Sequence, residues 1–283
     1  MRYLFAVLML GWCSISAAKD LVVSTYPLYL IAKEVTAGVE EPSVLLTPHQ
    51  TGHDAQLTPK NRQAIANADL IIWFGKQYEV PLQQVLSGQK KAISILESNI
   101  VKTLPQRDVK ANLSSSNSVD VHVWLEPNNA VRIAFFIAAL RSQQLPQHKA
   151  KLFENARKFS KRMFDASNLA INTERGRAYW AYHDAYQYLE RTLQLKFAGA
   201  LSPDHDLAPT ATQIKYLTQH RPQNNMCLLA EAGVQQALIE QLAPVKIVIV
   251  DESMLNQTDF VAGWLKLANS LQYCLKTSEN EKK

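Results

Sequence analysis

No stretch of this chain is apolar for long enough to cross a bilayer. A spanning helix needs about 20 consecutive apolar residues; the apolar run at residues 3–12 falls short and no later segment reaches that length. Blocks of like charge are missing too. Lys and Arg interleave with Glu, Asp and Gln and never run to five or six, which argues against a nucleic-acid-binding stripe. Neither H-E-x-x-H nor G-x-S-x-G occurs, and no general base stands matched to a water, so hydrolytic chemistry is not expected and the chain reads as a non-enzyme. Cysteine is scarce, with three in 283 residues, and no low-complexity tract is present.

What is present begins with Arg2, the short apolar run, then Ser14, Ser16, Ala17 and Ala18. This is the pattern of a secretory signal peptide over residues 1–18, cleaved after Ala18. Cys13 follows Trp12, where lipid attachment wants a small residue, so a lipid anchor on Cys13 is not expected. Removing the signal lowers the formal charge from +5 to about +4, spread along about 265 residues, which is a mildly basic solvated surface. Two cysteines remain, Cys227 and Cys274. In an oxidising compartment they are expected to form one disulfide, with two buried free thiols as the alternative.

Along the mature chain short apolar runs alternate with helical patterns. "LVVS" precedes helical spacing at Leu28, Leu30, Ile31 and Val35; "PSVLLTP" is a strand; Thr58 and Pro59 form a helix start; "DLIIWF" is a strand buried on both faces. "KAISILES" and "DVHVWLEP" repeat the strand pattern, and Pro127 opens a helix. Residues 146–174 lack any strand-like run, and their apolar spacing predicts one long helix of about eight turns. Alternation then resumes from "AYWAYH" to the helix "TDFVAGWLKLANSLQYCL". The expected fold is α/β: two doubly wound parallel-sheet lobes, residues 19–145 and 175–283, joined by the helix at 146–174.

Ligand sites on open parallel sheets gather beyond the carboxyl ends of the strands. Four metal-capable side chains have that address: His53 after "SVLLTP", His122 within "DVHVWLEP", His183 closing "AYWAY" and Asp251 closing "KIVIV". Three imidazoles and one carboxylate suit tetrahedral Zn²⁺. His49 and His205 are spare candidates near the same ends, whereas His148 and His220 fall on helix surfaces or ends.

The blocks "VLLTPHQTGHDAQLTPKNRQAIANADLIIWFG", "DVHVWLEPNNA", "YWAYHDAYQYLERTLQL" and "VDESMLNQTDFVAGWLKLANSL", in this order, resemble the periplasmic metal-binding proteins of bacterial ABC importers, specifically the zinc (ZnuA-like) branch of the cluster A-I solute-binding proteins. The resemblance covers nearly all of the mature chain. It implies two lobes bridged by a rigid helix, with the metal in the interlobe cleft. His53, His122 and His183 match the three imidazole ligands, Asp251 matches the carboxylate that closes the site, and Cys227 with Cys274 match a disulfide of zinc-type relatives. A histidine at the third position, His183, accompanies zinc, whereas a carboxylate there accompanies manganese or iron.

Several positions depart from the family pattern. Residues 103–119 contain no histidine, where many zinc-type members carry a long His-rich loop. Ala55 replaces an aromatic and Asn61 an aspartate, and Asp251 is followed by Glu252-Ser253-Met254, which leaves Glu252 or a water as rival fourth ligand. Each ligating imidazole needs a partner at its other nitrogen; Asp54, Glu126 and Asp184 neighbour the ligands in sequence and are candidates. The implied function is capture of Zn²⁺, as transported ligand, and delivery to an inner-membrane ABC permease with its cytoplasmic ATPase, with a metallochaperone as possible further partner and the protein itself a monomer. The alternatives are a manganese- or iron-type binder or a metal-dependent surface adhesin.

Overall fold

The computed structural model describes residues 20–46, 57–113, 118–170, 174–203 and 207–277. Four short parallel strands build the first sheet: β1 (Leu21–Val23), β2 (Ser43–Val44), β3 (Leu70–Trp73) and β4 (Ala92–Ser94), in the order β2-β1-β3-β4. The second sheet repeats that order as β6-β5-β7-β8, with β5 (Ala178–Ala181), β6 (Lys196–Ala200), β7 (Met226–Ala230) and β8 (Val245–Ile249). The direction of winding reverses between β1 and β3 in one sheet and between β5 and β7 in the other. Each reversal opens a crevice at the carboxyl ends of the strands.

Helices cover the sheets. In the first lobe they are α1 (Tyr26–Thr36), α2 (Pro59–Asn67), α3 (Val80–Leu86) and α4 (Pro127–Gln144); α5 (Lys149–Leu169) follows; in the second they are α6 (Gln187–Leu193), α7 (Ala211–Gln219), α8 (Gln236–Leu242) and α9 (Phe260–Thr277). Thr58 caps α2 as its side chain predicts, accepting the Asn61 N–H at 3.2 Å while Asn61 Oδ1 accepts the Thr58 N–H at 2.8 Å. The departure at Asn61 has a local reason, because its amide nitrogen donates to the Leu45 carbonyl, a bond that an aspartate has no proton to make. β3 is buried along its whole length, and Gly75 beyond it has φ +135, a conformation in which a Cβ would meet the Ser94 hydroxyl at 2.6 Å.

Two elements differ from the sequence reading. "DVHVWLEP" is not a strand: Asp120 Oδ1 accepts the His122 N–H at 3.0 Å, which turns the chain into a 3₁₀ turn at Val123–Leu125 and removes that donor from any ladder. α3 is an additional helix, short enough that Pro81, Leu82 and Leu86 give only two turns of pattern.

The region at 146–174 starts with a 3₁₀ turn at Pro146–His148, and α5 itself runs for 21 residues, about six turns. It bonds to both lobes. Asn155 donates to the Val35 and Ala37 carbonyls at the end of α1 (3.0 and 2.9 Å), and the Phe159 ring lies 5.8 Å from Phe260 of α9. Arg162 pairs with Glu34 of α1 and with Asp259 ahead of α9. The main apolar core runs without a break through this junction, from Val23 and Trp124 to Trp264 and Leu271, while two smaller clusters fill the outer faces of the two sheets.

The Glu34 carboxyl is pushed up from 4.5 to about 7, by burial first and the charge of Asp259 second, against the opposing pull of Arg162. A raised value means that the folded state holds the proton more tightly than the unfolded one. Its contribution to stability is therefore complete below about pH 4.5 and is lost as pH rises through about 7. Glu34→Gln is expected to flatten the dependence of Tm on pH, gaining on the order of 1–2 kcal/mol over the parent between pH 5 and pH 8 after discount for solvent screening. Parallel Tm–pH curves for the two proteins would remove Glu34 as the cause.

Candidate metal centre

His122 is held by the turn that displaced the expected strand. Its side chain is buried, and its Nδ1 lies 2.8 Å from Asp120 Oδ1, the oxygen that also accepts the His122 N–H. A carboxylate at Nδ1 makes that nitrogen the proton donor and leaves the Nε2 lone pair for a ligand. Tyr78 and Trp124 flank the ring, with centroids 6.1 and 5.4 Å away. Asp120 is fixed in turn from the other lobe, where the Tyr188 hydroxyl donates to its carbonyl at 2.8 Å. Gln187, with its amide nitrogen turned toward the acceptors, reaches Asp120 Oδ2 at 3.0 Å and the Pro105 carbonyl at 3.2 Å.

His183 stands just beyond β5, and Glu231 just beyond β7. The two strands pair directly, with Ala181 opposite Leu229, so the winding reversal of the second sheet brings both side chains to one crevice. His183 Nδ1 lies 2.5 Å from Glu231 Oε1, and its Nε2 faces Glu252 Oε1 at 4.0 Å. The His122 and His183 rings, supplied by different lobes, have centroids 5.8 Å apart. The pattern at both is the same: one carboxylate at Nδ1, with Nε2 directed elsewhere.

Of the two acids after β8, Asp251 is tied into its own turn. Its Oδ1 accepts the Ser253 N–H at 2.9 Å and its Oδ2 the Leu255 N–H at 2.7 Å; burial, then the charge of Glu252, raises its carboxyl pKa. It lines a separate cavity of about 180 Å³ with Asn256 and Lys266. Glu252 is buried and turned toward His183. Its carbonyl accepts the Trp124 indole N–H at 2.9 Å, and its charge acts on the buried Tyr186, a phenol raised well above its usual range by burial first and the Glu252 charge second.

Two of the acids that the sequence offered as partners of the histidines, Glu126 and Asp184, bond elsewhere. Glu126 caps α4, accepting the Asn129 N–H at 2.7 Å and the Asn128 amide at 2.8 Å. Asp184 takes both arms of the Arg107 guanidinium at 2.8 Å, and burial raises its carboxyl pKa despite that pairing. Asp120 and Glu231 hold the imidazoles instead. Asp120 had a local signal, two residues before His122 where a side chain bonds its own backbone; Glu231 had only its address at a strand end. His220 stacks on Tyr216 and bonds its carbonyl at 2.9 Å, and His148 lies in the turn before α5.

His53, Asp54, His49 and His205 lie outside the described residues. Among the described residues no three His, Cys, Asp or Glu side chains stand close enough to hold a metal ion. The described pair, His122 and His183, borders a cavity of about 570 Å³ that Asp184, Gln77, Ser202 and Gln213 also line.

Residues 21–269 match the family described as "Zinc-uptake complex component A periplasmic" (ZnuA). The chain is similar to the "High-affinity zinc uptake system protein ZnuA" of Haemophilus ducreyi, at 27% identity over 83% of this chain and 84% of the relative. It is equally similar to the protein of that name from Yersinia pestis, at 27% identity over 92% of each. In fold it resembles the Zn(II)-bound ZnuA-like domain of Streptococcus pneumoniae AdcA, with a TM-score of 0.72, 21% identity, and coverage of 92% of this chain and 99% of that domain.

Proposed function

The chain belongs to the ZnuA family of periplasmic zinc-uptake components, and from that premise we propose that it captures Zn²⁺ outside the cytoplasm and passes it to an inner-membrane ABC permease driven by a cytoplasmic ATPase. The observation that carries this reading is the facing pair His122 and His183, one from each lobe, each with a carboxylate at Nδ1. Nitrogen donors of this kind suit Zn²⁺ better than Mn²⁺, which prefers oxygen. His53 is the third imidazole in this proposal. The fourth ligand comes from Asp251 or Glu252, and the orientation of Glu252 toward His183 favours Glu252, with Asp251 shaping the turn that presents it.

In the same proposal the signal at 1–18 is cleaved, Cys13 leaves with it, and the protein acts as a monomer that a metallochaperone is able to load. Residues 146–174 bridge the lobes. The unbroken core through α5 supports a small rocking of the lobes on metal release, not a wide opening.

Protein purified without chelator is expected to carry one zinc ion per chain. Glu252→Gln is expected to lower zinc affinity by about tenfold or more, while Asp251→Asn changes it by less and lowers Tm instead. Chelator competition and thermal melts on the two variants separate these roles. The reverse order of effects would transfer the ligand to Asp251, and a parent protein without affinity for zinc would overturn the function.

A further inference from the structure

Residues 104–113 and 118–119 belong to the first lobe by sequence, yet they lie against the second. Antiparallel bridges at Pro105↔Val119 and Arg107↔Leu113 fold them into a strap. β6 is the edge of the second sheet, and the strap occupies that edge: the Val109 carbonyl accepts the Ala200 N–H at 2.9 Å and the Gln213 side-chain amide at 2.9 Å. Gly199 beside it has room for no side chain, since a Cβ would meet the Val109 carbonyl at 2.9 Å and Leu217 at 2.6 Å. Arg107 then reaches inward. It forks onto Asp184 with two bonds of 2.8 Å, bonds Glu190 at 2.9 Å and lies over the Phe197 ring at 4.2 Å, with only 9% of its side chain exposed.

The partners of this strap are the neighbours of the metal-binding pair. Asp184 follows His183 directly. Leu104 donates its N–H to Tyr188 at 3.0 Å, and the same Tyr188 hydroxyl donates to the Asp120 carbonyl, behind His122. One connected set of bonds therefore runs from His122 through Asp120 and Tyr188 to the strap, and from the strap through Arg107 and Asp184 to His183. A planar guanidinium with a fixed fork of donors sets distance and angle together, which a flexible ammonium does not.

We propose that Arg107 is a positioning residue for metal retention: by fastening the strap to the second lobe beside His183, it holds the imidazoles of the two lobes at the spacing a bound ion requires. The inference rests on the zinc reading above. Preorganised ligands lose less freedom on binding, and partners that orient ligands commonly change metal affinity by about 10- to 100-fold when removed. The effect belongs in release, because the ligand atoms that meet the incoming ion are unchanged.

The test follows zinc transfer to an excess of chelator in stopped flow, with Tm measured with and without zinc. Arg107→Met is expected to speed release by about tenfold, with capture within about twofold of the parent, and to shrink the increment that zinc adds to Tm. Arg107→Lys, which keeps the charge but not the fork, is expected to recover only part of the loss. Should Arg107→Met fail to fold because Asp184 is left buried and unpaired, Gln213→Ala removes one donor from Val109 without stranding a charge, and must speed release by several-fold. Release rates equal to the parent's in the folded variants, or a Tm lowered equally with and without zinc, would overturn the positioning role while leaving the zinc function intact. A parent protein that takes up no zinc would instead sink the reading beneath it.

Discussion

His183→Ala is expected to lower zinc affinity by at least about a hundredfold, and His122→Ala by a similar factor. Each substitution removes a nitrogen donor, where loss of a mere orienting partner already costs about 10- to 100-fold. It also leaves a carboxylate without its imidazole, Glu231 in one variant and Asp120 in the other. In a site from which a ligand has been deleted, that carboxylate is too far back to replace it, because it sits on the Nδ1 side of the ring. Chelator competition at one pH measures the loss, and a thermal melt of the metal-free protein shows that the fold survives. Glu231→Gln gives the graded control: the imidazole stays, its orientation is looser, and a loss of about tenfold is expected. If His183→Ala binds zinc as the parent does, the imidazole pair is not the site.

The placement of His183 was legible because "AYWAY" is an unambiguous buried strand and a polar residue at its carboxyl end has a physical reason to be there. His122 was legible as a residue type and misread as a structure. "DVHVW" alternates like a strand, but Asp120 satisfies the His122 N–H with its own side chain, a local competition that periodicity does not register. The partners of the two imidazoles divide in the same way. Asp120 is two residues from its histidine, whereas Glu231 is 48 residues from His183 and meets it only because β5 pairs with β7. The sequence reading named Glu126 and Asp184, yet a helix N-terminus claims the first and Arg107 the second. The strap is the least legible part, since nothing in its polar composition says that it will cross to the edge of another sheet.

The second large effect concerns the frame that carries Glu231. The disulfide Cys227–Cys274 joins β7, at the centre of the second sheet, to α9, and both sulfurs are buried. It closes a loop 47 residues apart in sequence, for which loop-closure entropy predicts a stabilisation of roughly 4 kcal/mol within the usual 2–5 kcal/mol range. Cys227→Ala with Cys274→Ala is therefore expected to lower Tm by roughly 5–15 °C. Zinc should restore part of this, because an ion that binds only the folded chain stabilises it by mass action whether or not the crosslink is present. The same Cys274 helix carries Trp264, whose indole N–H donates to the Leu125 carbonyl of the first lobe at 2.8 Å, so loosening α9 loosens the junction between the lobes as well. The double variant is accordingly expected to release zinc faster, by less than the Arg107 variants do, since the crosslink acts on the frame while the guanidinium acts beside His183. An unchanged Tm would mean that packing alone holds β7 to α9, and the order of the release rates would then rest on the strap.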